Sequence, residues 1–370
     1  MSLNYRDFLA EVWRAATTPS LAALVGTLSV AGIILFLCLM LLSPHFIVKY
    51  GYHFMEDPKD DYAYLTTEVL KITYNLPKEL GVIVVGNSAA KEAIDAKHLA
   101  ELLSKKIAHT VPVHKLAVGG LFLVEEVCLL DNIQENFQGI IVIQVEPPRL
   151  AFDKKALKGG ITKHSRLAMY CPAFDKEMQI AGVEPQNWLG NYFLDHYKFF
   201  VARLPSVLLN VLRGPRYWDA YGSDDWLVPT QAQWERAVER FARWQENYLD
   251  HRADNFGIYS RLIQRLLDKN IKVALLETTI NPRTEELLYQ TPEKKKMYEQ
   301  YYTEVSQFAQ ELGISYWNLS TEVDLKVADF IDHIHVSKPK ARRRYTEALA
   351  SQLVDLLKGM QFKEISENSK

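Results

Sequence analysis

The sequence predicts an α/β fold built on a doubly wound parallel sheet, and three observations carry that reading. Short apolar runs recur along the chain: GVIVVG (81–86), VHKLAV (113–118), GIIVIQV (139–145), KVALLET (272–278) and ISYWNLS (314–320). Helical stretches separate them, and glycine or proline stands at the carboxyl ends of several. Runs apolar on both faces suit strands covered on both sides, and strands separated by helices pair in parallel with helices above and below. In such sheets a site forms beyond the carboxyl ends of the strands. Ser88, Gly119, Gly120 and Arg149 all fall at that rim.

Taken in order, the chain begins with a short tail over residues 1–20, read as cytoplasmic. From Leu21 to Leu42 it carries no charge at all, which matches the ~20 residues a helix needs to cross a bilayer core. A buried helix of a soluble domain would show polar positions at a helical period, and a cleavable signal would be shorter with a small-residue cleavage site. The segment 21–43 is therefore expected to be a single uncleaved transmembrane anchor. Arg6 and Arg14 before it balance Lys49 and Lys59 after it, so charge does not decide orientation. A short tail before the anchor and a large domain after it favour an extracytoplasmic domain over residues 50–360. A linker through Glu56 to Asp61 leads into that domain.

Helices are expected over Ala89 to Lys106, Phe122 to Asn136, Glu293 to Leu312 and Lys338 to Leu357, with a polar, disordered tail over 361–370. The interval 151–268 is too long for a loop and must carry structure of its own. It is rich in aromatics (Trp188, Tyr192, Phe193, Tyr197, Phe199, Phe200, Tyr217, Trp218, Tyr221 and Trp226), and a helix pair, Thr230 to Asp250 and Asn255 to Lys269, is expected to close it. Within it YKFFVARLPSVLLNVLRG (197–214) is apolar but broken by Lys198, Arg203 and Pro205. Core packing and contact with a membrane or membrane partner both remain open for this stretch.

A formal net charge of -2 provides no basic field and excludes nucleic acid as an expected partner. The tract Lys338, Lys340, Arg342, Arg343 and Arg344 reads as a solvated helix start. With Cys38 in the apolar segment, only Cys128 and Cys171 remain to pair. Cys128 lies in the apolar stretch VEEVCLLDNI, where a packed free thiol is the plain expectation.

Two stretches carry chemistry. In VIVVGNSAAKE (82–92), Ser88 stands between a strand and a helix, exposed near the positive helix end. It is either a nucleophile or an N-cap, a position serine fills well. In ADFIDHIHVSKP (328–339), Asp332 and His335 lie three apart before the last helix. A serine hydroxyl needs a base, and a histidine base needs an acceptor on its other nitrogen to fix its tautomer. His333 lacks the three-residue spacing and is set aside.

Gly86-Asn87-Ser88 together with Asp332-x-x-His335 resembles the first and last blocks of the SGNH hydrolase superfamily, a flavodoxin-like fold. LAVGG (116–120) looks like its second block, so the resemblance implies that the Gly119 N–H is an oxyanion donor. The wider pattern is most similar to the membrane-anchored, acyltransferase-like branch, which includes the D-alanyl transfer protein of teichoic acids and alginate O-acetyltransferase subunits. It covers 81–150 and 270–358, leaving the aromatic interval aside. It implies a Ser88-His335-Asp332 triad that moves an acyl group to or from an extracytoplasmic polysaccharide or other envelope polymer. It further implies a bacterial inner-membrane location and a membrane-bound O-acyltransferase as partner. No metal or organic cofactor is implied. The third-block asparagine is missing, because Glu146-Pro147-Pro148-Arg149 follows the third strand. Arg149 could stabilise an oxyanion or bind an anionic substrate, and Asn87 could turn inward. The missing donor also suits a second reading, a catalytically silent ectodomain acting as a binding or assembly subunit.

Overall fold

The computed structural model describes residues 5–17, 20–51, 57–75, 80–133, 137–151, 166–180, 182, 184, 187–214, 216–221, 230–320 and 322–368. Five strands form one sheet: β1 (Leu80–Gly86), β2 (Val113–Ala117), β3 (Gln138–Val145), β4 (Lys272–Glu277) and β5 (Ser315–Trp317). Their order is β2-β1-β3-β4-β5 and every pair is parallel. This is the doubly wound arrangement the sequence predicts, with its order changing direction beside β1, where ligand crevices form.

Alternation along β1 divides the core into two layers. Ile83 and Val85 face a cluster built with the helices Asp61–Asn75, Leu123–Asp131, Gln231–Asp268 and Pro292–Glu311. Val82 and Val84 face the opposite way, onto Ala96–Ile107 and Pro339–Asn368. Fully apolar strand runs are therefore required, since neither face meets water. Gly81 of β1 pairs with Gly139 of β3. A Cβ on Gly139 would stand 2.1 Å from the Gly81 carbonyl oxygen, so the central pair closes only because this position is glycine.

Several elements differ from the sequence-based expectation. The stretch expected as one helix over Ala89 to Lys106 is two, Ser88–Ala93 and Ala96–Ile107. Ile94 is extended between them, and Asp95 accepts the His98 N–H at 3.0 Å to start the second. The buried Lys115 ammonium donates to the Lys91 and Ile94 carbonyls at 2.8 and 2.9 Å, covering the first helix's orphaned end. Conversely, the expected pair Thr230 to Asp250 and Asn255 to Lys269 is a single helix, Gln231–Asp268. Its polar middle holds because buried Asn255 donates to the Leu150 carbonyl at 3.2 Å, and Tyr248 packs in the core.

The helices Tyr5–Thr17 and Asp61–Asn75 add to the expected elements, and the last helix continues to Asn368 through the segment expected to be disordered. Within the basic tract, Arg342 is buried rather than solvated, donating from Nε to the Glu92 carbonyl at 2.7 Å. Cys128 and Cys171 are buried and form no disulfide. Trp226 and Glu56 lie outside the described residues.

Among the described residues one helix is long and apolar enough to cross a membrane, Leu21–Met40, with none of it buried. Just after it, Ile47 is fully buried with Ala63, Leu70, Tyr192, Phe199 and Phe200, and Leu42 packs against the same cluster. Replacing Gly139 by Ala is expected to force β1 and β3 apart and lower stability by about 1–3 kcal/mol, the usual cost of overpacking. A thermal unfolding midpoint unchanged from the parent would contradict the close pairing.

Candidate active site

The carboxyl end of β1 turns into the Ser88–Ala93 helix through Gly86 and Asn87. The Gln144 side chain crosses from β3 over this turn, where a Cβ on Gly86 would lie 2.4 Å from its Oε1. That oxygen accepts the Asn87 N–H at 2.8 Å. Asn87, not Ser88, is the N-cap: its Oδ1 accepts the Ala89 N–H at 2.8 Å. Ser88 is thereby released from capping, and as first residue of the helix its amide has no helical acceptor.

Ser88 Oγ lies 2.7 Å from His335 Nε2, a residue 247 positions away in the chain. His335 Nδ1 lies 2.7 Å from Asp332 Oδ2. The other carboxylate oxygen accepts the backbone N–H groups of Ile334 (3.0 Å) and His335 (2.9 Å), so the aspartate shapes the turn as well as orienting the ring. With a carboxylate at Nδ1, that nitrogen carries the proton and Nε2 faces the hydroxyl as acceptor. Burial opposes ionisation of Asp332, but the His335 hydrogen bond, the His335 and His333 charges and the Ile334 amide prevail, holding its pKa at about 2. His333 reaches the same aspartate only at 3.7 Å and its ring stands apart from the hydroxyl's partner.

The loop bearing Asp332 and His335 is held by a residue the sequence reading missed. Asn281, just after β4, donates from Nδ2 to the Asp332 carbonyl and from its backbone to the His333 carbonyl, both at 3.0 Å. It also caps the helix Pro282–Leu288. The Asn-Pro pair after a strand was its signal, a helix start. A bridge between Phe330 and Val336 closes the loop.

The other expected site residues are placed differently. Asn87 does not turn inward as a free donor, since its Nδ2 is bonded to Glu146 Oε1. Arg149 is engaged within the protein: it is buried, paired with Glu126, 3.9 Å from Glu146, and donates to the Leu121 carbonyl at 3.1 Å. Burial pushes Glu126 up to about 7 against the pull of Arg149, and Tyr259 donates to it at 3.0 Å. Burial likewise raises Glu146, which stands where an asparagine donor was sought.

The Gly119 N–H, expected at an oxyanion, donates instead to Asp61 Oδ2 at 2.9 Å. The same carboxylate accepts Lys91 Nζ at 2.9 Å and Trp218 Nε1 at 2.8 Å. A carboxylate is the best acceptor a peptide amide finds, so this donor is engaged. Chemically, the arrangement can activate a hydroxyl beside a helix N-terminus.

The family model described as "Protein of unknown function (DUF1574)" matches residues 230–351, which include Asp332 and His335 but not Ser88. None of the curated proteins matches the chain. Among solved structures, one described as "a putative arylesterase from Agrobacterium tumefaciens str. C58" is similar at 12% identity, covering 75% of this chain and 99% of that one. Its TM-score of 0.31 is too low for the likeness to bear on fold or activity.

Arg149→Met is expected to cost about 3–5 kcal/mol, because it strands two buried carboxyls; chemical denaturation measures this, and an unchanged midpoint would return Arg149 to a binding role. For Asp332 the folded pKa of about 2 lies below the unfolded 3.8. Its contribution, about 2 kcal/mol, is therefore present above the unfolded value and lost as pH falls through the folded one. Thermal midpoints of Asp332→Asn should trail the parent by a constant margin from neutral pH down to about pH 4, and converge with it below that.

Proposed function

We propose that the protein is a serine-dependent acyl-transfer enzyme, an esterase or O-acyltransferase, held to the membrane by the helix Leu21–Leu41. One observation carries the reading: the unbroken line of 2.7 Å contacts from Ser88 Oγ to His335 and from His335 to Asp332. Ser88 Oγ attacks an ester carbonyl while His335 Nε2 takes its proton. The tetrahedral oxyanion forms beside the Ser88 N–H, and collapse expels the alcohol, which leaves with the proton from His335. An acyl-serine remains. Its transfer to water or to an acceptor hydroxyl repeats the steps in reverse, with Asp332 holding the ring throughout. These steps need no cofactor.

The apolar helix and the domain that follows it support an inner-membrane protein with the site on the extracytoplasmic side. A polysaccharide or other envelope polymer then supplies the acceptor hydroxyl, and a membrane-bound O-acyltransferase supplies or takes the acyl group. That choice rests on the resemblance of Gly86-Asn87-Ser88, the LAVGG stretch and Asp332-x-x-His335 to the acyltransferase-like branch.

A specific observation favours a second reading. Asp61 on the Gly119 amide and Glu146 in place of an asparagine leave few oxyanion donors, and a lost donor typically costs ~10²–10³ in rate. A silent binding subunit would tolerate this.

A fluorophosphonate probe separates the two. The full-length chain in membranes should be labelled, with labelling absent in Ser88→Ala, and Asp332→Asn should slow turnover of an aryl acetate by about 10⁴. A folded chain that takes no label supports the binding subunit instead.

A further inference from the structure

The helix Tyr197–Arg213 shows water an apolar face. Its inward face carries Phe199, Phe200, Arg203 and Asn210, all buried. Arg203 donates from Nη2 to Asp60 at 2.8 Å within an ion pair, and Ser206, also on this side, reaches Asp57 at 3.5 Å. Its outward face carries Val201, Leu204, Leu208, Leu209 and Leu212, spaced i, i+3, i+7, i+8 and i+11, with Leu212 81% exposed. A helix packed on a soluble domain shows the reverse pattern, apolar in and polar out. An outward stripe this continuous marks an interaction surface.

What covers the stripe is indicated by where it lies. Phe199 and Phe200 share one buried cluster with Ile47, and Leu42 and Val207 pack against the same cluster. The helix therefore begins against the residues where the unburied apolar helix Leu21–Leu41 ends. Tyr197 and Tyr217 are exposed near its two ends, Lys198 and Arg213 are exposed on it, and Leu189 and Leu194 extend the apolar surface. Amphipathic rings and basic groups bordering leucines are the composition that settles at headgroup level, with the apolar side ~5–10 Å into the bilayer boundary. At 17 residues the helix is about 25 Å long. Its Arg203–Asp60 pair keeps one side on the domain, so it lies along the surface rather than spanning.

We propose that the outward face of Tyr197–Arg213 docks on the lipid bilayer, a second contact beside the spanning helix that fixes the domain against the membrane. This rests on the reading that Leu21–Leu41 spans, and the test separates the two. The full-length chain is reconstituted in phosphatidylethanolamine–phosphatidylglycerol vesicles. An environment-sensitive fluorophore is attached to native Cys38, the one cysteine that is not buried. In a Cys38→Ser background it is attached instead at Leu208→Cys, Leu212→Cys or Lys295→Cys, the last on the exposed side of Pro292–Glu311.

Spin-labelled acyl chains should quench the Leu208 and Leu212 probes several-fold more than the Lys295 probe, with blue-shifted emission and little quenching by aqueous iodide. Quenching at Cys38 without quenching at Leu208 and Leu212 overturns the docking and leaves the span intact. Probes at Leu208 and Leu212 shielded from both lipid label and iodide would assign the face to a protein, and this also overturns it. No lipid quenching at Cys38 removes the span and the docking together.

Discussion

The close seating of β1 against β3 is the constraint on which the rest of the molecule depends. Gly139 lets the two backbones meet at one end beside Gly81, and Gly86 lets the Gln144 side chain cross at the other. That crossing gives the Asn87 amide its acceptor, so the turn out of β1 is set by a β3 side chain. Asn87 then caps the following helix and leaves Ser88 free to present its hydroxyl. A bulkier residue at either glycine would disturb packing and the position of the hydroxyl at once.

A second tier of contacts ties this turn to distant segments. Glu146 joins Asn87 to Arg149, and Arg149 joins Glu126 on a neighbouring helix. Buried charges of this kind stabilise little in net terms but cost heavily when one partner is removed. From the other side, Asn281 holds the Asp332–His335 loop from the end of β4. The hydroxyl and its imidazole are thus positioned by the ends of three adjacent strands, the reason parallel sheets place chemistry at their carboxyl rim.

The sheet was legible because its central strands, β1, β3 and β4, are apolar runs that both layers bury, a local property of the sequence. The positions of Ser88 and the Asp332–His335 pair were legible too, since a strand-to-helix junction and a three-residue spacing are local signals. Arg149, Gly119 and Asn87 were legible as rim positions but not in their partners. Those partners, Glu126, Asp61 and Glu146, lie on other elements, and no local pattern announces them. The unbroken Gln231–Asp268 helix was obscured for a related reason: its polar middle reads as a break until Asn255 finds a carbonyl on another segment. Asp61 was read as linker, although it begins a helix and takes three donors.

The acids that follow the apolar helix have a mechanical consequence. Asp57, Asp60 and Asp61 bind Arg216, Arg203 and Trp218, all from the segment between β3 and β4. Ile47 is fully buried in the same region. The residues on both sides of 52–56 are therefore packed on the aromatic segment rather than hanging from it. In the proposed membrane-anchored enzyme, reach is replaced by aim: whatever the serine meets must be delivered to one fixed height and bearing.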